Sequence, residues 1–309
     1  MKRDFLTLSE YSSEEIRKIV DLSLEVKKER AHGKLMRDEM RGKTAVLVFD
    51  KPSLRTKITF QTCIYELGGN ALDMPSANGR LGDRESVYDV AKNLERWVHL
   101  LVVRTFSDDT LREFAGHLNI PVINALTDKF HPCQSIAFGV ALKEKFGDKK
   151  IKVAFVGDGN NVCASHLHYC TKMGYDFTLI CPKGFELNAE IAAEGRKIAT
   201  HTGSLITITN DIDEGLKDVD VVYTDVWASM GKENEAQSRK EIFMPYQVNE
   251  DLMKKAKPDA LFSHCLPAHR GEEVIDSVLD GERSIAFEEA ENRLHAHKAI
   301  IMYLLQQSK

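Results

Sequence analysis

The sequence lacks any apolar run that approaches the roughly 20 residues needed to span a bilayer. Its first residues, Met1–Phe5, lead into polar sequence and lack the hydrophobic region of a secretory signal. Its six cysteines are scattered without a CxxC spacing, which is typical of reduced thiols and disfavours a disulfide framework or a zinc site. Together these absences predict a cytoplasmic protein with no membrane partner.

The sequence also lacks a large excess of charge of either sign. The formal net charge of the 309 residues is −5, which argues against a nucleic-acid scaffold, so any anionic ligand must be captured by a few local groups. The sequence contains no internal repeat and no low-complexity tract. With 43% hydrophobic and 29% charged residues, its composition is that of a globular protein. The length allows one large domain or two of ordinary size.

Short apolar runs alternate with helical patterns along the chain. This alternation predicts an α/β fold of two doubly wound parallel-sheet domains with an active-site cleft between them. The charged turn at Gly147–Lys150 is the candidate boundary, so we expect domains at 1–147 and 148–291. A closing helix from about Asn292 to Leu305, within 292–309, is expected to return to the first domain. The predicted strands are Ala45–Phe49, Leu100–Val103, Val122–Asn124, Lys152–Val156, Phe177–Ile180, Leu205–Ile208, Val219–Tyr223 and Ala260–Ser263.

A polar turn follows the first predicted strand. The segment Phe49–Lys57 passes from strand to helix, so backbone N–H groups and the positive end of a helix dipole face the turn. Ser53 and Thr56 add hydroxyl groups, and Arg55 adds a planar fork suited to phosphate. The pattern predicts a phosphate-binding turn. Taken alone, it fits a capped helix with a solvated arginine equally well.

The second half contains a partial match to a dinucleotide-binding motif. Val153–Val162 has the first two glycines of G-x-G-x-x-G, but the third falls at Val162. The next strand ends at Cys181–Lys183, without the acidic residue that holds a ribose. A nicotinamide-dependent oxidoreductase is therefore disfavoured. Asn160 and Asn161, at the tip of this strand, are either turn residues or amides directed at a ligand.

Four further polar clusters follow predicted strands or open predicted helices, where α/β enzymes keep their chemistry. Each also has an ordinary reading. Arg104 could be a surface residue after a buried strand, His131 a structural histidine, and Cys265 a small buried hydrophobe. The clusters are Arg104, His131–Gln134, Asp225–Gly231 and His264–Arg270.

Taken in order, the five clusters resemble motifs of the aspartate and ornithine carbamoyltransferase family, over nearly the whole chain. Pro52–Thr56 is similar to the family's carbamoyl-phosphate motif. Arg104 and His131–Gln134 resemble its second and third contacts to phosphate and carbonyl. Asp225 with Ser229–Gly231 is similar to the ornithine-specific signature. His264–Pro267 resembles its catalytic loop. A further segment, Glu291–Arg293, resembles its last carbamoyl-phosphate contact.

The resemblance implies carbamoyl transfer from carbamoyl phosphate to the δ-amine of L-ornithine, giving L-citrulline and phosphate by direct attack. It implies no metal or organic cofactor, and a homotrimer or a higher assembly of trimers. The implied catalytic residues are Arg104, His131, Asp225 and Cys265. The implied carbamoyl-phosphate contacts are Ser53, Leu54, Arg55, Thr56, Arg80, Arg104, His131, Gln134, Cys265, Leu266 and Arg293. The implied ornithine contacts are Asn161, Asp225, Ser229 and Met230.

The identity of the amine substrate depends on one carboxylate. Asp225 can pair with the α-ammonium of a free amino acid, whereas an N-acylated ornithine would present it with a neutral amide. Met230 can pack on the methylene chain, and Ser229 and Asn161 can hydrogen-bond the polar groups. The sequence therefore favours free ornithine. A carbamoyltransferase acting on putrescine or an acylated ornithine is the alternative.

Two positions depart from the family pattern. Lys57 stands where the family usually has arginine, which keeps the charge but loses the bidentate fork. Arg80 stands where the family usually has glutamine. It is either an extra phosphate ligand or a solvated residue, and we favour the ligand because an anion site suits arginine.

Overall fold

The computed structural model describes residues 2–74, 83–228 and 235–307. Three of the predicted contacts, Arg80, Ser229 and Met230, lie outside these ranges. The chain divides into two compact units. The first consists of Met1–Val140 with Glu291–Lys309, and the second of Ala141–Ala290.

The first unit is built on a parallel sheet. Its strands are β1 (Thr44–Phe49), β2 (Asn70–Met74), β3 (Leu100–Arg104) and β4 (Val122–Leu126). They lie in the order β2-β1-β3-β4, and every pairing is parallel. The helices of this part of the chain are α1 (Ser13–Ala31), α2 (Leu54–Glu66), α3 (Val87–Trp97), α4 (Asp108–Gly116) and α5 (Pro132–Phe146), the last of which leads into the second unit.

The second unit contains another parallel sheet. Its strands are β5 (Lys152–Val156), β6 (Asp176–Ile180), β7 (Ile206–Thr209), β8 (Val221–Thr224) and β9 (Leu261–His264). They lie in the order β7-β6-β5-β8-β9. The helices are α6 (Asn161–Met173), α7 (Ala189–Thr202), α8 (Ile212–Leu216), α9 (Ala236–Phe243), α10 (Glu250–Met253), α11 (Asp276–Leu279) and α12 (Ala286–Gln307), the last of which returns the chain to the first unit.

The prediction of an α/β fold with two parallel sheets is confirmed. Sequence reasoning missed β2, which lies at the edge of its sheet and is largely exposed, with Leu72 48% accessible. Such a strand needs no continuous apolar run. The closing helix begins at Ala286, earlier than the predicted Asn292. The strands β7, β8 and β9 each differ from prediction by one or two residues at their ends, where hydrogen bonding rather than hydrophobicity sets the limit.

The C-terminal helix packs on the first unit, as predicted. The Lys298 ammonium, 1% exposed, forms an ion pair with Glu66 at the end of α2. The Tyr303 hydroxyl donates to the Glu15 carboxylate at 2.9 Å. The ion pair of Lys298 with Glu66 fixes geometry more than it adds stability, because both charges have been removed from water. Together the two contacts hold α12 against α1 and α2.

Local capping places the helix starts close to the strand ends. Ser12 and Glu15 form the expected capping box at α1, and Ser53, Ser107 and Asn160 accept backbone N–H groups at the starts of later helices. Within the parts of the chain that are described, none of the helices combines the length and apolarity of a membrane span.

Candidate active site

The first polar turn follows β1 and opens α2. Ser53 is the N-cap, with extended backbone, and its hydroxyl accepts the Thr56 N–H at 3.3 Å. Thr56 is buried, Arg55 is half-buried, and Leu54 is exposed. Because the side chain of Ser53 binds only one N–H, the first turn of α2 retains its donor character and its positive dipole end. This is the predicted phosphate-binding turn.

Arg104 is the last residue of β3 and is 5% exposed. The pairing of β3 with β4 shifts register between Val103 and Arg104, so that Val103 pairs with Asn124 and Arg104 with Leu126. A bulge of this kind redirects the side chain at the end of a strand. The Arg104 carbonyl also accepts the Asp50 N–H at 2.8 Å, which ties this strand end to the turn after β1.

The next group lies where β4 leads into α5. His131 precedes the helix, and its carbonyl accepts the Gln134 N–H at 3.1 Å. Both side chains are buried, His131 at 5% exposure and Gln134 at 1%. Pro132 occupies the first position of α5, where its missing N–H costs nothing. The helix start therefore presents an imidazole and an amide from a rigid segment.

A guanidinium from α12 joins the first and third of these groups. Arg293 is 3% exposed; its Nη2 donates to the Thr56 hydroxyl at 2.9 Å, and its Nη1 donates to the Gln134 Oε1. Three of the predicted contacts, from three distant parts of the sequence, therefore form one buried network.

Two cross-links between loops were not predicted. The Thr105 hydroxyl donates to the Asp50 carboxylate at 2.6 Å. The Lys51 ammonium, on a residue 4% exposed, pairs with Asp128 and lies 4.2 Å from the centre of the Phe106 ring. These contacts connect the loops after β1, β3 and β4. The only sequence signal for them was the presence of polar residues in each loop.

Lys57, one of the two departures from the family pattern, has a partner within the first unit. Its ammonium forms an ion pair with Asp73 on β2, and both side chains are about one-third exposed. The lysine therefore spans from the first turn of α2 to the edge strand. Arg80, the other departure, lies outside the described residues.

In the second unit the predicted carboxylate is the centre of a hydrogen-bond cluster. Asp225 follows β8 and is 7% exposed. Its Oδ1 accepts from the Cys265 thiol and from the Val226 N–H, both at 2.8 Å, and its Oδ2 accepts from the Asn160 amide at 2.8 Å. A carboxylate held on both oxygens keeps one orientation. The structure therefore brings together Asp225 and Cys265, two of the four predicted catalytic residues.

Asn160 caps a helix and also contacts Asp225, whereas the sequence left both Asn160 and Asn161 open as turn residues or amides directed at a ligand. Its Oδ1 caps α6 by accepting the Val162 and Cys163 N–H groups at 3.0 Å, while its Nδ2 reaches Asp225. Asn161, the predicted ornithine contact, is the first residue of α6 and is half-buried. The preference of asparagine for the N-cap was the signal that could have separated the two.

The loop after β9 is held by His264, which is fully buried. Its Nδ1 accepts the Leu266 N–H at 2.8 Å and its Nε2 lies 3.2 Å from a Glu273 oxygen, which assigns the proton to Nε2. Glu273 also accepts the His269 N–H at 2.6 Å. Leu266 has φ of +56°, in the left-handed region that a leucine rarely adopts. This network stabilises the backbone on either side of Cys265.

Buried groups beneath Asp225 connect β8 and β9. Glu289 accepts from the Tyr223 hydroxyl at 2.9 Å and from the Ser263 hydroxyl at 2.5 Å. Burial raises the pKa of Tyr223 well above its usual range, so the phenol stays a donor. His166 meets the Tyr223 ring edge-on at 4.3 Å, and burial lowers its pKa to about 3. The imidazole of His166 is therefore neutral near pH 7.

Two groups in the described residues have the spacing of metal ligands, with ligand atoms within 4.8 Å of one another. They are Asp225, His264 and Cys265, and His269, Glu272 and Glu273. In the first group the nitrogens of His264 are engaged by Leu266 and Glu273, so a metal ion would have to displace those hydrogen bonds. Beside the second is a cavity of about 360 Å³ lined by Trp227, Ala228, His269, Arg270 and Glu272.

Both halves of the chain match models of one family. Residues 3–144 match the aspartate/ornithine carbamoyltransferase carbamoyl-P binding domain. Residues 149–304 match the Asp/Orn binding domain of the same family. The chain belongs to the aspartate/ornithine carbamoyltransferase family, and the resemblance drawn from its motifs is confirmed.

Individual relatives agree over the full length. An ornithine carbamoyltransferase of Anoxybacillus flavithermus is 44% identical over 304 residues, covering 98% of this chain and 96% of that protein. The solved structure of ornithine carbamoyltransferase from Pyrococcus furiosus has a TM-score of 0.94 at 42% identity, covering 97% of this chain and 96% of that one. An anabolic ornithine carbamoyltransferase from Campylobacter jejuni has a TM-score of 0.92 at 38% identity, covering 99% and 100%.

Proposed function

We propose that this chain transfers the carbamoyl group of carbamoyl phosphate to the δ-amine of L-ornithine, producing L-citrulline and phosphate. The observation that carries the proposal is the network of Arg293, Thr56 and Gln134. It gathers the family's carbamoyl-phosphate motifs from three segments into one buried group. Family membership over both halves of the chain supports the same reaction.

The phosphate is assigned to the start of α2. The backbone N–H groups at Ser53–Thr56 and the guanidiniums of Arg55 and Arg104 supply positive charge and directed donors. A phosphate dianion needs this concentration of donors because the chain as a whole is negatively charged.

The carbamoyl group is assigned to a second set of donors and acceptors. Arg104, His131 and Thr56 would polarise the carbonyl and stabilise the tetrahedral oxyanion. Gln134 and the backbone at Cys265 and Leu266 are assigned to the carbamoyl NH₂, and Arg293 adds a further donor. Each protein group must be fixed before the reaction to contribute in this way, and burial of Gln134 and Arg293 supports that.

Ornithine is assigned to the second unit. Asp225 pairs with the α-ammonium, and Asn161, Ser229 and Met230 complete the site by family resemblance. The Asp225 carboxylate is 7% exposed and would face an uncharged amide in an acylated ornithine, which leaves its charge uncompensated. This favours free ornithine over the acylated substrate. Putrescine lacks the α-carboxylate that the site is assigned to hold.

The chemical step is attack of the neutral δ-amine on the carbamoyl carbon. The amine has an ordinary pKa near that of lysine, about 10.4, and desolvation near cationic groups lowers it. Cys265, whose thiol donates to Asp225, is assigned with Asp225 to orient the amine; the amine's proton passes to the Cys265 sulfur as the thiol proton passes to Asp225. The C–N bond forms, the C–O bond to phosphate breaks, and phosphate leaves with the electron pair.

Domain roles, location and assembly belong to the same proposal. We assign carbamoyl phosphate to 1–147 with 292–309, ornithine to 148–291, and the cytoplasm as the location. By family resemblance we assign a homotrimer or a higher assembly of trimers, and exposed apolar side chains beside the edge strand β2 support contact with another copy. Leu54, Ile58 and Tyr65 on α2 are 70%, 52% and 67% exposed. Light scattering should give three times the chain mass of 34.9 kDa, and Tyr65→Glu should lower it.

The decisive experiment is a citrulline assay with purified protein. Carbamoyl phosphate and L-ornithine should give citrulline, whereas putrescine and N-acetylornithine should give little product. If ornithine gives no citrulline, the proposal is wrong. If putrescine or N-acetylornithine gives more carbamoylated product than ornithine does, that amine is the substrate. Titration with NAD should show no binding, which tests the oxidoreductase reading.

A further inference from the structure

One buried histidine, His297, contacts the guanidinium of Arg293. His297, one helical turn after Arg293 on α12, is completely buried. Its Nε2 accepts from the Arg293 Nε at 3.4 Å. The imidazole stacks on Phe60 of α2, with ring centres 3.7 Å apart and planes inclined by 8°. Stacking therefore fixes the plane of the imidazole, and Nε2 is its hydrogen-bond acceptor.

Packing alone does not account for a histidine at this position. The other ring nitrogen, Nδ1, is buried and has no hydrogen-bond partner among the described residues. An unpaired buried N–H destabilises a folded protein, and an apolar side chain of similar volume would avoid that cost. Burial and the neighbouring Arg293 hold the pKa of His297 well below its usual range, so the ring is neutral. His297 therefore provides a neutral hydrogen-bond acceptor, although its unpaired Nδ1–H lowers stability.

We infer that His297 is a positioning residue that fixes the plane of the Arg293 guanidinium. By accepting from Nε, it sets the direction in which Nη1 and Nη2 meet Gln134 and Thr56. The inference rests on the proposed function, in which Arg293 contacts carbamoyl phosphate. Phe60 supports the imidazole by stacking and so belongs to the same device.

The choice of a neutral acceptor has an electrostatic reason. A carboxylate at this position would form an ion pair with Arg293 and reduce the positive charge available to a phosphate-bearing ligand. A cation would repel the guanidinium. A neutral imidazole orients Arg293 without changing its charge, which suits a residue whose ligand is an anion.

The experiment compares three variants by carbamoyl-phosphate affinity, ornithine KM, kcat and thermal stability. His297→Leu removes the acceptor and fills the space. His297→Gln retains an acceptor. His295→Leu is the matched control, because His295 lies on the same helix, is 1% exposed, and has Glu291 as its ionic neighbour. Apparent affinity is measured from initial rates and, independently, from the thermal shift produced by carbamoyl phosphate.

His297→Leu should weaken carbamoyl-phosphate affinity roughly tenfold, because one charge-assisted hydrogen bond is lost. Its melting temperature should change little, because the unpaired Nδ1–H is removed while the Arg293 Nε–H loses its acceptor, and its ornithine KM should not change. His297→Gln should recover most of the affinity, and His295→Leu should bind as the wild type does. A purely structural histidine would instead lower the melting temperature without this selective loss.

Three results would overturn the inference: unchanged affinity in His297→Leu, equal losses in the Leu and Gln variants, or an equal loss in His295→Leu. If His297→Leu does not fold, the tautomer in the wild type decides the matter. Nitrogen NMR should show a proton on Nδ1 and an unprotonated Nε2, and an imidazolium or the opposite tautomer at neutral pH would refute it. Failure of the wild type to make citrulline refutes the proposed function instead.

Discussion

The polar groups of the two units differ in sign. In the first unit three arginines are assigned to the site: Arg55 in the first turn of α2, Arg104 at the end of β3, and Arg293 on α12. In the second unit the corresponding strand ends carry the Asp225 carboxylate, held by a thiol and an amide. In the proposed function, the same arrangement of parallel strands serves an anion in one unit and an ammonium group in the other. Charge, rather than fold, would then distinguish the two ligands.

The two units also hold their polar groups by different means. Side-chain contacts between loops do so in the first, where Asp50 meets Thr105 and Lys51 meets Asp128. In the second, His264 fixes a backbone that includes a left-handed Leu266. Variants of the first unit should therefore change carbamoyl-phosphate parameters, and variants of the second should change ornithine parameters.

The largest effect is expected for Arg55→Ala. Loss of a half-buried guanidinium at the phosphate-binding turn should reduce kcat/KM by on the order of a thousandfold, measured by citrulline formation. Lys57→Ala, two residues further on, is the control. Its ion pair with Asp73 is partly exposed, so the variant should lose only a few-fold in activity. Similar rates for the Arg55 variant and the wild type would remove Arg55 from the site.

Asp225→Asn should act on the other substrate. The isosteric amide cannot pair with the α-ammonium, so the ornithine KM should rise roughly a hundredfold, in line with truncation of a buried charge pair. Carbamoyl-phosphate affinity, measured by thermal shift without ornithine, should change little and serves as the internal control. Unchanged saturation by ornithine would contradict the assignment.

Lys51→Met should have a smaller effect. The thioether can still pack on Phe106, but the ion pair with Asp128 is lost, and Asp128 is itself largely exposed. The free energy of unfolding should fall by on the order of 1 kcal/mol, with a modest loss of carbamoyl-phosphate affinity. Lys143→Met, which removes the ion pair with Asp148, is the control for stability. If Lys143→Met lowers both the free energy of unfolding and the carbamoyl-phosphate affinity as much as Lys51→Met does, the cross-link between loops has no role in the site.

At neutral pH the smallest effect is expected for His166 in the second unit, whose contribution to stability is lost only as the pH falls. The pKa of His166 falls from 6.5 to about 3 on folding, so the unfolded chain binds a proton that the folded chain does not. Stability is therefore complete above 6.5 and decreases as pH falls from there toward 3, by about 1 kcal/mol per unit. Denaturant titrations of His166→Leu should show a shallower acid dependence, and the exposed His201→Leu should not. Equal slopes in all three proteins would contradict the expectation.

Most strands and their ends could be predicted from the sequence, because buried parallel strands are short apolar runs followed by polar turns. Arg104 and Asp225 could be placed in this way. The edge strand β2 could not, since its exposure removes the apolar signal. Likewise, the difference between Asn160 and Asn161 depends on which residue caps α6, a boundary that pattern alone places only within a residue or two.

Contacts between distant residues required the structure. Arg293 and Thr56 lie 237 positions apart, so only the family resemblance suggested that they share a site. Lys51, Glu273 and His297 gave no distinguishing signal, because a lysine, a glutamate and a histidine are ordinary residues in a charged sequence. Their roles follow from burial and partners, which depend on the packed fold.

The division of the chain bears on its synthesis. The first unit combines Met1–Val140 with Glu291–Lys309, so its two parts leave the ribosome with the whole second unit between them. Until the last residues are made, α2 lacks the imidazole that stacks on Phe60 and the ammonium that pairs with Glu66. The unit that begins first is therefore completed last. A stop codon placed before Glu291 would therefore remove side chains on which the amino-terminal part of the first unit packs.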